Sequence, residues 1–165
     1  MDRSTWRSCR TVEVMIMSSS KILFVCTGNT CRSPMAQAIA QQLISEQVTS
    51  KIAWTFDSAG VAAGDGFPAS DQAVLALAER GIDLSGHQSK MITPELIDQS
   101  AIIFTMTPAH GQAILRLVPE SKGKVFPLDA SVPIGDPFGY QVDVYREVAT
   151  QLEGLIQKRI EEIVR

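Results

Sequence analysis

A chain of 165 residues is long enough for one well-cored domain and short for two. With 45% apolar and 20% charged residues it has an ordinary globular composition, and a formal net charge of −3 argues against a general nucleic-acid binder or a membrane-surface protein. Three cysteines without the spacing of a secreted scaffold suit a reducing compartment, so a cytoplasmic location is expected.

Residues 1–20 carry Arg3, Arg7 and Arg10 and then Val12 to Met17, an apolar run interrupted by Glu13. That run is too short for a convincing signal peptide, and no clean small-residue cleavage site follows. The segment reads as a disordered extension with Met17 as the functional start, which leaves Cys9 outside the chemistry. Residues 21–165 read as a single domain.

The domain opens on Lys21–Val25, a short apolar β-forming run typical of a buried parallel strand. A helix is expected from about Ser33 to Glu46, with Ser33 as N-cap and Pro34 at its first position. Ile52–Phe56 reads as the second strand and ends at Asp57-Ser58-Ala59-Gly60. After a Gly/Pro loop over residues 61–68 comes a helix from about Ser70 to Arg80, with Ala73, Val74, Leu77 and Ala78 inward and Gly81 as its stop. Ala101–Met106 is the third strand, Pro108–Leu117 a helix and Lys124–Leu128 the fourth strand. A long terminal helix repeats Val144, Val148, Leu152, Leu155, Ile156, Ile160 and Ile163 at spacings of mostly three and four. Alternating strands and helices imply a three-layer α/β fold around an open four-stranded parallel sheet, with ligands beyond the carboxyl ends of the strands.

At such an end lies Cys26-Thr27-Gly28-Asn29-Thr30-Cys31-Arg32-Ser33. A loop of successive N–H groups running into a helix N-terminus cradles a phosphate-sized anion. Arg32 adds a planar charged fork, and Cys26 at the floor of the cradle has its thiolate favoured by the same amides and charge. A thiolate beneath a bound phosphorus is a nucleophile for phosphoryl transfer. No Gly-Lys-Ser/Thr tripeptide occurs, which excludes a nucleotide-binding P-loop. Displacing a phosphorylated oxygen or nitrogen calls for an acid at the leaving group. Asp136, in Gly135-Asp136-Pro137-Phe138-Gly139, supplies one, although Asp-Pro is by itself a turn former.

Together these motifs resemble the low-molecular-weight protein tyrosine phosphatase family over nearly all of residues 21–165. The matching stretches are Val25 to Pro34, Asp57-Ser58-Ala59-Gly60, Ser85-Gly86-His87 and Asp136-Pro137-Phe138. The resemblance implies a flavodoxin-like fold and a two-step, cofactor-free and metal-free reaction through phosphocysteine. In it Cys26 is the nucleophile, Arg32 the phosphate binder and Asp136 the general acid, and phosphorylated proteins are the substrates of a monomeric enzyme. It further implies that Asn29, Ser58 and His87 hold the loop in shape and that Ser33 donates to the Cys26 sulfur, while Cys31 either pairs with Cys26 as a protective disulfide or stays a packed, inert thiol.

For the substrate, phosphotyrosine is the family default, whereas Thr30 and the Asp-Pro-Phe-Gly acid loop resemble the bacterial protein-arginine phosphatase branch. Gly64 stands where many tyrosine-directed relatives place an aromatic residue, with Phe67 and Phe138 as candidate rim substitutes. Two rival readings are weaker. An arsenate reductase on this fold needs cysteines beyond Cys31, of which there are none, and a phosphopeptide-binding module would require neither thiol nor acid.

Overall fold

Ile22, Leu23, Phe24 and Val25 are all buried although a strand points successive side chains to opposite faces, so the strand that holds them is covered on both sides. It is β1 (Ser19–Cys26) of a computed structural model that describes residues 19–47 and 52–164. β1 pairs in parallel with β2 (Ala53–Gly60) on one side and β3 (Ser100–Thr105) on the other, and β3 pairs in parallel with β4 (Val125–Pro127). The order β2-β1-β3-β4 is the flavodoxin-like arrangement the alternation implies.

Ile22 and Phe24 pack with Met35 and Ile39 of α1 (Arg32–Ser45) and with Leu152 and Ile156 of α5 (Val142–Val164). Leu23 and Val25 face the other way, into a smaller cluster with Ile97 of α3 (Pro94–Gln99), Ile103, and Ile114 of α4 (Pro108–Leu117). Helices thus cover both faces of the sheet. Cys26 ends β1 where its two neighbour strands diverge in chain order, the position at which open α/β sheets bind ligands. Among the described residues no helix is long and apolar enough to cross a membrane.

Several boundaries depart from expectation. The proposed extension over residues 1–20, with Met17 and Cys9, lies outside the described residues except for Ser19 and Ser20, which begin β1. The first helix starts at Arg32, with Cys31 rather than Ser33 at the N-cap and no side-chain cap bond. Ser33 is not free to cap, because its hydroxyl is committed to the preceding loop. In α2 (Asp71–Ala78), Ser70 does cap, accepting from the Ala73 N–H, but Ala76 rather than Ala78 is buried because residues 73, 76 and 77 share one helical face. Gly81 follows at φ 75°, a left-handed conformation suited to glycine. α3 was not expected. It is a six-residue helix begun by Thr93, which accepts from the Leu96 N–H, and by Pro94 at its first position. On α5, Tyr145 and Ala149 join Val148, Leu152, Ile156 and Ile160 in the core, and Val144, Leu155 and Ile163 are half-buried.

Candidate active site

The five residues between Cys26 and Arg32 form a turn whose shape rests on Asn29. Asn29 is fully buried and, among the described residues, is the only non-glycine with positive φ, at 56°. Asparagine tolerates that region because its short amide can bond locally. Here its Nδ2 donates to Ser33 Oγ at 2.8 Å, its Oδ1 accepts from the Lys90 N–H at 2.9 Å, and its carbonyl accepts from His87 Nε2 at 2.7 Å. Burial pushes the His87 pKa below the usual histidine value, opposed by that bond to the Asn29 carbonyl. Gly28 does not have positive φ, and an added Cβ would meet only Thr30 Oγ1, at 3.7 Å. The glycine the loop requires is Gly60 at the end of β2, where a Cβ would come within 2.4 Å of the Thr27 carbonyl and 3.0 Å of the Asn29 nitrogen.

Ser33 Oγ, fixed from behind by Asn29, lies 2.9 Å from Cys26 Sγ, so its hydroxyl can donate to a thiolate. Cys26 and Arg32 are both nearly inaccessible. Arg32 is locked in orientation: Nη1 donates to the Ile134 carbonyl at 2.9 Å and Nη2 lies 3.3 Å from Asp136 Oδ2. The Asp136 side chain is 51% exposed and lines the cavity beside the guanidinium. Its other oxygen accepts from the Phe138 N–H at 3.1 Å, the local bond that shapes the turn. Cys26, Thr27, Gly28, Thr30, Cys31, Arg32, Asp136 and Phe138 line one cavity of about 230 Å³.

The remaining expected residues fall in different places. Ser58 is buried, but its hydroxyl donates to Gln37 Oε1 at 2.7 Å rather than to Asn29, so it braces β2 against α1. Phe67 does not line the cavity. Its ring lies across Gly64, where a Cβ would approach within 2.5 Å, so it occupies the space a side chain at 64 would take. Cys31 and Cys26 are free thiols, and Cys31 Sγ is 3.4 Å from both Ser70 Oγ and Tyr145 Oη. Burial and the Cys31 contact push the Tyr145 pKa up to about 12.

Three groups were not expected from the sequence. Ile134 contributes a backbone carbonyl and Lys90 a backbone N–H, which no side-chain pattern announces. His110 bonds Thr27 across 83 positions, and the only local signal was its place in the first turn after Thr107-Pro108.

Asn29→Ala is expected to lower stability by about 2–4 kcal/mol, since it deletes the buried bond to Ser33 and the part-buried bond to the Lys90 N–H and leaves alanine in a left-handed conformation. Urea unfolding measures that loss. kcat/KM should fall about tenfold with it, because Ser33 loses its fixed orientation.

Comparison with known proteins places the chain in a family. The family model described as low molecular weight phosphotyrosine protein phosphatase matches residues 21–165. A protein-arginine-phosphatase of Geobacillus stearothermophilus is 40% identical over 148 residues, 87% of this chain and 95% of the relative. A Ralstonia nicotianae protein named "Probable low molecular weight protein-tyrosine-phosphatase EpsP" is 35% identical over 80% of this chain and 88% of its own. The crystal structure of a YwlE mutant from Bacillus subtilis superposes with a TM-score of 0.83 at 33% identity, covering 88% of this chain and 99% of that one. A thiol, a locked guanidinium and a half-exposed carboxylate around one anion-sized cavity are thus set in a matching sequence and fold, and the chain belongs to the low-molecular-weight protein tyrosine phosphatase family of cysteine-dependent phosphatases.

Proposed function

We propose that the enzyme removes phosphate from arginine side chains of proteins, with Cys26, Arg32 and Asp136 as its catalytic residues. The phosphoryl group lies over the loop amides with two oxygens on the Arg32 fork. Cys26 Sγ attacks phosphorus, the S–P bond forms as the N–P bond to the guanidine breaks, and Asp136 delivers its proton to the departing nitrogen. Water then attacks the phosphocysteine, Asp136 takes its proton, and breaking the S–P bond releases phosphate and restores the thiolate, which Ser33 stabilises. A reducing cytoplasm keeps Cys26 and Cys31 as thiols.

The observation that carries the substrate choice is Thr30 on the cavity wall, half-buried beside Cys31. A hydroxyl there accepts from a guanidinium N–H, whereas an aliphatic side chain would leave that donor unpaired and pack better on a phenyl ring. The 40% identical relative named as an arginine phosphatase supports the same choice. Phosphotyrosine is the second reading, favoured by Phe138, a 71% exposed ring at the cavity mouth that can stack on a phenol.

Paired kcat/KM measurements on phosphoarginine and phosphotyrosine peptides decide between them. Thr30→Ile should lower the arginine-to-tyrosine ratio about tenfold, the equivalent of one net hydrogen bond. An unchanged ratio removes Thr30 as the selector. Failure to hydrolyse p-nitrophenyl phosphate under reducing conditions would overturn the catalytic reading altogether.

A further inference from the structure

His110 is a buried side chain for which the reaction above has no task. Its Nδ1 accepts from the Thr107 backbone N–H at 3.1 Å, which puts the ring proton on Nε2, and Nε2 lies 2.9 Å from Thr27 Oγ1. Thr107 Oγ1 is also within 3.2 Å of Nδ1. The ring is neutral at ordinary pH: burial, then the nearby Arg32 charge, push its pKa down to about 4 against the opposing pull of Asp136. Neutral Nε2–H can only donate, so it occupies a lone pair of the Thr27 hydroxyl and turns that hydroxyl's own proton away from His110. The Thr27 backbone is held as well, its carbonyl accepting from the Ala62 N–H at 3.0 Å. What remains is a single O–H on an exposed residue of the cavity wall shared with Cys26, Arg32 and Asp136.

We infer that the Thr27 hydroxyl donates a hydrogen bond to the phosphoryl group held over Cys26, and that His110 is the positioning residue that fixes the direction of this donor. The inference rests on the phosphatase reading and adds a contact to it. A histidine that only tied α4 to the loop, through the same Thr27 hydroxyl, would change folding stability and leave kcat/KM and phosphate inhibition of the folded enzyme unmoved. A positioning histidine acts through that hydroxyl on the bound phosphoryl group, so its loss moves kcat/KM and phosphate inhibition together.

The test is a double-mutant cycle on the full chain with p-nitrophenyl phosphate under reducing conditions, alongside inhibition by inorganic phosphate. Thr27→Val and His110→Leu should each lower kcat/KM about tenfold and weaken phosphate inhibition in parallel. The double variant should be no worse than either single one. His110→Gln, which offers an amide N–H near the position of Nε2, should recover most of the loss. Thr27→Val lies at an exposed position, so it reads the contact even if His110→Leu folds poorly. Full kcat/KM in Thr27→Val, or losses that multiply in the double variant, overturn the inference. Failure of the underlying reading shows separately, as activity that survives Cys26→Ser.

Discussion

Replacing Cys26 by serine is expected to reduce steady-state kcat by on the order of 10⁴-fold or more while leaving the unfolding midpoint nearly unchanged. The sulfur is almost fully buried at the end of β1, and an oxygen fits its place. What is lost is chemical. An alcohol is scarcely ionised near neutral pH, and the Ser33 hydroxyl 2.9 Å away, which stabilises a thiolate, cannot lower an alcohol's pKa far enough to replace it. Whatever phosphate does transfer leaves slowly, because an alkoxide is a far poorer leaving group than a thiolate. Mass spectrometry after long incubation should therefore find phosphate on the residue 26 peptide. Steady-state kcat within tenfold of the parent would remove Cys26 as nucleophile.

Arg32→Lys should cost about 10³-fold in kcat/KM although the positive charge is kept. A guanidinium offers N–H groups in fixed directions. At Arg32 one is spent on the Ile134 carbonyl and another faces Asp136, which aims the remainder into the cavity. An ammonium is a point charge on a flexible stem and cannot satisfy the carbonyl, reach the carboxylate and grip two phosphate oxygens together. The loss should fall mainly on kcat, because the fork fits the charge that builds on the equatorial oxygens in the transition state. A variant whose kcat is unchanged and whose KM alone rises would assign Arg32 to ground-state binding.

The proposed catalytic set could be picked out because each member is a residue type with narrow chemistry at a recognisable local position. Cys26 follows a strand, Arg32 opens a helix, and Asp136 sits in an Asp-Pro turn. For Asp136 the turn geometry leaves room for the proposed acid role, since one carboxylate oxygen accepts the Phe138 N–H and the other faces Arg32. Ser33 was legible as a helix-start residue but not by its local role, because the cap it was expected to make competes with Cys26 and Asn29 for one hydroxyl. Ser58 and Phe67 stood near the right segment and met other partners, Gln37 and Gly64, chosen by packing rather than by motif.

The order of the four strands and of every helix but α3, the buried β1 and the proposed anion-binding loop at its end were determined by the sequence itself. Their signals are local: periodicity, turn residues and spacing within about ten positions. Only the tertiary structure decided what holds that loop. The Lys90 N–H and His87 on Asn29, the close approach of Gly60, the Ile134 carbonyl on Arg32 and His110 on Thr27 all join residues far apart in the chain, and all but the last use the backbone, whose groups every residue carries. The loop's chemistry is thus written in Cys26 to Ser33, and its rigidity in the sheet and segments folded around it.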